Sequence, residues 1–173
     1  MMLEEVMRAI FNGDTEKFDE IVRKGVDVKV VTDNEKWNLL HRALISVSIP
    51  PIPKMIKHLI DLGIDVNAKD CYGNTPLHYA ARLKNIELIG MLLSAGAEID
   101  PVNKDGLTPL RLMLLKKPHN LEAIEFFLSH GADINQRVKG GIAIKEYIKI
   151  ISSGENHAIV ELFDKYEKKH DEK

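Results

Sequence analysis

The most constraining feature of this chain is that it repeats itself at a fixed step. Gly73 and Gly106, Thr75 and Thr108, Pro76 and Pro109, and Leu77 and Leu110 are each 33 residues apart. Gly63 and Gly96 keep the same step, and Gly96 to Gly131 is 35 residues. Around these glycines the text recurs as LIDLGIDVNAKD, LLSAGAEIDPVN and FLSHGADINQRV, with a further copy, EIVRKGVDVKV, at 20–30. A period of this length means a stack of like units, each able to bury its apolar side only against its neighbours. The 173 residues therefore read as a tandem array and not as one closed core.

The chemistry of one unit predicts its shape. Thr75 is placed to cap a helix with its hydroxyl, and Pro76 follows at the first helical position, where a missing donor costs nothing. Leu77, Ala80 and Ala81 form a narrow apolar face that lets a neighbouring helix come close. Lys84-Asn85 breaks this short helix. Ile86, Ile89, Leu92 and Leu93 then recur at helical spacing, and Gly96 stops the second helix where a left-handed residue is wanted. The segment AEIDPVNKDG is turn-rich and suits a hairpin-like loop into the next pair. The expected unit is helix, turn, helix, loop.

These residues resemble the ankyrin-repeat family. Its T-P-L-H-x-A core stands here as Thr75-Pro76-Leu77-His78-Tyr79-Ala80, with the 33-residue period. The resemblance is strong over 70–102 and good over 103–137. It is degenerate over 33–69, where Asn38-Leu39-Leu40-His41-Arg42-Ala43 replaces the motif. Residues 2–32 and 138–170 resemble terminal capping repeats. The implied fold is a single all-α ankyrin solenoid of about five units, two of them caps, complete and soluble by itself. In this family the histidine of the motif bonds within and between repeats, so His41 and His78 join Thr75, Pro76, Gly96, Thr108 and Pro109 as structural residues. Arg111 takes the histidine's place in the next repeat. Residues 59–68 also fit the pattern that asparagine hydroxylases modify, at Asn67, although a backbone bond closing a tight loop explains that asparagine.

Two segments break the period. ISVSIPPIPKM stretches Gly25 to Gly63 to 38 residues, and KKPHN adds two more between the helices of the fourth unit. Pro50 and Pro53 spell P-x-x-P, a ligand pattern for aromatic grooves. A proline-stiffened turn that starts a helix at Lys54 is the simpler reading, with Ile45 and Val47 drawn into the core by a longer inner helix. At the N-terminus Leu3, Val6, Ala9, Ile10, Phe18, Ile21 and Val22 supply an apolar side. At the C-terminus Ile144, Tyr147, Ile148 and Ile151 do so, and Ser152 with Glu155 fits a capping box before Ile159, Leu162, Phe163 and Tyr166.

No enzyme emerges. GxGxxG, Walker, HExxH and GxSxG patterns are absent from the sequence. A net charge of −2 lacks the basic excess of a nucleic-acid binder. The single cysteine, Cys71, excludes an internal disulfide, and Cys71 with His78 reads as a loop thiol beside a structural ring rather than a nucleophile pair. His41 and His78 offer no metal-ligand spacing, and no cofactor is expected. The start, MMLEEVMRAI, has acids where a signal peptide carries positive charge, and no apolar run spans a membrane, so a cytoplasmic protein is expected.

The resemblance implies that function lies on a concave face made by loop tips and inner helices, and that its partner is another protein. Carried over position by position, this face takes Asn34, Glu35, Trp37, Cys71, Tyr72, Asn74, Lys104, Asp105 and Leu107 from the loops. From the inner helices it takes Ile45, Arg82, Leu83, Leu115 and Lys116. Tryptophan, tyrosine and arginine are the residue types that dominate binding hot spots. The chain most resembles small stand-alone bacterial ankyrin proteins, some of which are immunity proteins that bind and block a toxin. The alternative is an adaptor or host-directed effector, in either case a monomer when free.

Overall fold

A computed structural model of the protein describes residues 2–45, 49–137, 141–151 and 157–171. Among these residues the chain forms ten helices: α1 (Met2–Asn12), α2 (Thr15–Arg23), α3 (Leu39–Leu44), α4 (Pro53–Asp61), α5 (Pro76–Leu83), α6 (Ile86–Ser94), α7 (Pro109–Leu114), α8 (Leu121–Ser129), α9 (Ile144–Ile151) and α10 (His157–Asp171). The inner helices α1, α3, α5 and α7 pack on one another in chain order. The outer helices α4, α6, α8 and α10 form a second row behind them. The architecture is an all-α solenoid.

Local chemistry sets the starts and stops. Asp14, Asn85 and Asn120 accept from the amides of Lys17, Leu88 and Ala123, which caps α2, α6 and α8. Thr108 does the same for α7, through the amide of Arg111. Lys84 closes α5 in the left-handed region at φ 54°, so α6 can begin two residues later. Gly96 lies at φ 88° just past α6, as its place after the second helix predicts.

One apolar core runs through the stack. Phe18, Leu40, Ile56, Leu77, Leu88, Leu110 and Phe127 are fully buried in it. Ala80 and Ala81 are also fully buried, the condition for α5 to sit close to α7. At the ends Val6, Ala9, Ile10, Ile21, Ile144, Ile148, Ile159 and Phe163 are buried as their spacing predicts.

Several local expectations fail. Leu3 does not join the core but is 45% exposed. The insertion does not lengthen the inner helix: α3 has only six residues and Ile45 is its half-buried C-cap. Val47 lies outside the described residues, as does the Ser152–Glu155 capping box. Helix α4 begins at Pro53, one residue before the expected Lys54, because the fixed proline φ suits a first turn. Likewise α7 ends at Leu114, so Leu115 is its cap and Lys116 lies in the turn beyond. The hairpin-like loops carry no strand among the described residues; they are tight turns, with one isolated bridge between Arg137 and Ala143.

Candidate partner-binding face

The two central loop tips are each built around an Asx residue that folds the chain back on itself, whereas the first is closed by Thr32, whose hydroxyl accepts from the Trp37 amide at 3.0 Å. The Asp70 carboxylate accepts from the amides of Tyr72 (2.9 Å) and Asn74 (2.7 Å), and its second oxygen takes the Tyr79 hydroxyl at 2.6 Å. Asn103 repeats the device one unit on, accepting from the amides of Asp105 (3.0 Å) and Leu107 (2.9 Å). Burial opposes the Asp70 carboxylate, yet the bonds from Tyr79 and the two amides outweigh it and hold the pKa below its ordinary value. Burial, and then the bond to Asp70, push the Tyr79 phenol up. The pair is therefore ionised acid and neutral phenol.

Adjacent tips are tied to each other. The Cys71 amide donates to the Glu35 carbonyl at 2.7 Å, and the Lys104 amide to the Tyr72 carbonyl at 2.9 Å. The Asn103 side chain donates to that of Asn74 at 2.9 Å. Below them the motif histidines bridge repeats. His41 Nε2 lies 3.0 Å from the Asn74 carbonyl and His78 Nε2 3.0 Å from the Leu107 carbonyl. The Thr75 amide donates to His78 Nδ1 at 3.0 Å, which assigns the proton to Nε2. Burial lowers the pKa of both imidazoles, so they stand neutral in their ladder. Arg111 fills the same place in the fourth unit: its guanidinium reaches the Ile142 carbonyl at 3.4 Å and stacks 4.2 Å over the Tyr147 ring.

This network decides what the polar residues can do. Both His78 ring nitrogens are engaged, so the ring cannot activate Cys71. Asn67 donates to the Gly96 carbonyl (3.0 Å) and accepts from the Glu98 amide (2.8 Å), a clamp between successive repeats. Asp100 accepts from the Asp133 amide at 2.7 Å, and Asp133 from that of Asn135 at 2.8 Å.

The face residues expected from the sequence fall into two sets. Tyr72 is 61% exposed and Leu115 47%, and Asn34, Arg82, Lys104, Asp105 and Lys116 are exposed as well. Glu35, Trp37, Ile45, Cys71, Asn74, Leu83 and Leu107 are half-buried. Of these, Asn74 and Leu107 lend their carbonyls to the histidine ladder, and Ile45 and Leu83 pack against the core. Arg82, Leu115 and Lys116 share one cleft of about 220 Å³ with Leu112. Arg82 also lies 5.7 Å from the Tyr79 ring centroid.

A second cleft, of about 310 Å³, was not legible in the sequence. Leu3, Val30, Val31 and Trp37 line it, and Arg42 stands at its side. It joins the start of α1, the loop after α2 and the start of α3, a meeting of distant segments that no local pattern announces. Trp37 contributes its apolar ring, while its Nε1 is buried and makes no hydrogen bond.

Comparison with known proteins agrees with the geometry. A family model described as ankyrin repeats (3 copies) matches residues 6–103 and 52–138. An ankyrin repeat protein of Fowlpox virus is 38% identical over 78 residues, 45% of this chain and 11% of the relative. Ankyrin repeat domain-containing protein 37 of Xenopus tropicalis is 45% identical over 49 residues, 28% of this chain and 30% of its own length. An L-asparaginase of Dirofilaria immitis is 32% identical over 133 residues, 77% of this chain and 21% of the enzyme. The chain thus spans less than a third of the length of each of these relatives. Ankyrin repeats are protein-interaction modules, and no helix among the described residues is long and apolar enough to cross a membrane. With this model matched by two overlapping segments that together run from 6 to 138, and a ladder of bridging histidines, the chain belongs to the ankyrin-repeat family.

Proposed function

We propose that this chain binds another protein through the face made by its loop tips and inner helices and, by covering that partner's working surface, blocks it, as an immunity protein blocks a toxin. The observation that carries the binding reading is the exposure of Tyr72 and Leu115 on a scaffold whose tips are bonded to one another. A large apolar side chain held out in water by a rigid frame loses little ordering entropy when a partner covers it. The same rigidity suits obstruction. A second reading, an adaptor that binds without blocking, is favoured by the relatives in which similar repeats form only a part of a larger chain.

Affinity capture with the wild type and a Tyr72→Ala/Arg82→Ala/Leu115→Ala variant tests the site. The expected result is a stoichiometric partner retained by the wild type and lost by a variant that still unfolds at the wild-type urea midpoint. A partner held equally by both places binding elsewhere. Adding the pure chain to the captured partner's own activity assay then separates blocking from tethering.

A further inference from the structure

We infer that the partner segment seated on this face is acidic and carries bulky apolar side chains; the inference rests on the face proposed above. Three of the inner helices, α3, α5 and α7, with the residues that follow them in sequence (38–52, 75–85 and 108–120), contain Arg42, Arg82, Lys84, Arg111, Lys116 and Lys117 and not one Asp or Glu, whereas α1 at the end of the stack carries Glu4 and Glu5. The chain as a whole has 26 acids against 24 bases, so composition does not produce this absence. The outer row is mixed: α6 has only Glu87 as a charged residue and α8 only Glu122 and Glu125, while α4 has Lys54, Lys57 and Asp61.

Ion pairs form on the other helices, as in Lys17–Glu20 of α2 (2.8 Å), Lys57–Asp61 of α4 (2.8 Å) and Lys165–Glu125 between α10 and α8 (2.7 Å), although Lys54 of α4 has no carboxylate partner among the described residues. Among the described residues Arg42, Arg82 and Lys116 have none. Lys84 turns its ammonium onto the carbonyls of Lys116 and Pro118, and Arg111 is held by the Ile142 carbonyl and the Tyr147 ring. The inner face therefore keeps positive charge that the fold itself does not neutralise.

That charge borders apolar clefts. Arg42 flanks the cleft of Leu3, Val30, Val31 and Trp37, where Asp27 also lines the wall and accepts from the Lys29 amide at 2.8 Å; Arg82 and Lys116 flank the one floored by Leu112 and Leu115, which no acid lines among the described residues. An apolar side chain entering either cleft brings a neighbouring Asp or Glu within reach of an unpaired cation. Desolvation of the cleft strengthens that pair and rejects a basic segment by like-charge repulsion. A nucleic acid fits less well, because it has no apolar side chain for the clefts.

Selection of random linear peptides on the immobilised full chain, followed by titration of the enriched peptides, tests this. The enriched peptides should be net negative and hold at least one Leu, Phe, Met or Trp. Their affinity should fall with rising salt, and by at least about tenfold in Arg42→Glu/Arg82→Glu/Lys116→Glu. Arg82→Glu/Lys116→Glu, at two exposed positions, serves if the triple variant is unfolded by circular dichroism. Neutral or basic winners, an affinity unmoved by charge reversal, or no enrichment at all overturns the inference. So does a single-stranded DNA oligomer that binds more tightly than the acidic peptides. Neutral winners that are lost in Tyr72→Ala/Leu115→Ala would discard the charge inference and leave the face standing; winners indifferent to both variants discard the face as well.

Discussion

Replacing Gly73 by alanine isolates the contact between adjacent loop tips. Gly73 has φ 78°, and a Cβ built there would lie 3.1 Å from the Lys104 amide nitrogen and 3.2 Å from the Asn103 Cα. Both neighbours are backbone, so neither can swing aside. The Lys104 amide is bonded to the Tyr72 carbonyl at 2.9 Å, and the Gly106 amide to the Asn103 carbonyl at 2.9 Å. Relief requires the tips to part by a few tenths of an ångström, which weakens a bond of about 1 kcal/mol. The left-handed backbone itself costs an alanine about 1–2 kcal/mol. Stiffening of the unfolded chain offsets about 0.4–1 kcal/mol of this. The net loss expected for Gly73→Ala is about 2 kcal/mol by these contributions. Gly96→Ala is the control: φ is 88° and nothing lies within 4 Å of its Cβ. It carries only the backbone contributions, about 1 kcal/mol. The gap between the two variants, about 1 kcal/mol, is then the tip contact, read as a difference in urea midpoint at equal m-value. Equal losses, or a larger loss in Gly96→Ala, would refute the reasoning.

Three further outcomes can be measured. Burial keeps the ladder's His41 and His78 below their ordinary pKa of 6.5, so below that pH the unfolded chain binds protons that the folded chain refuses. Stability is therefore full above pH 6.5 and falls as the pH drops below it, by up to about 1.4 kcal/mol per group per pH unit, as urea midpoints measured across that range should show. Tyr79→Phe leaves the buried Asp70 carboxylate without its 2.6 Å donor and should cost about 1–3 kcal/mol; a midpoint within error of wild type would count against the bond. Asn67→Ala removes both arms of the clamp onto Gly96 and Glu98, with an expected loss of about 1–2 kcal/mol in the same assay and faster amide exchange at Glu98.

What the sequence revealed was local, and so were its failures. Thr108 with Pro109 announces a helix start because a cap acts on amides two or three residues away, whereas Asn85 reads in the sequence only as a break, and Asn120 only as part of an insertion, although they cap α6 and α8 in the same way. His41 and His78 were legible through the family motif, not through any pattern within their own helices. Arg111 reads as a lost histidine, yet its longer side chain reaches the carbonyl of the following repeat just as the imidazoles do. The short α3 and the exposed Leu3 could not be foreseen, because both depend on how the insertion and the first helix meet the stack. The clefts have the same cause: Leu3, Val30 and Trp37 become neighbours only after three segments have packed.

The tip ladder also limits how this protein can recognise anything. At Cys71 and Lys104 the amides are bonded to Glu35 and Tyr72, and the carbonyls of Asn74 and Leu107 are occupied by histidines. These backbone groups are not available to extend a sheet with a partner strand or to cradle an anion, as open strand edges and nests do. Selectivity at the tips must come from side chains that the ladder holds out, such as Tyr72, Lys104 and Asp105. Those side chains lie opposite fixed counterparts one repeat away, so the spacing of the contacts is set by the fold while their chemistry is free to vary. The same bonds that make the repeat legible leave the identity of the partner to residues that no repeat pattern constrains.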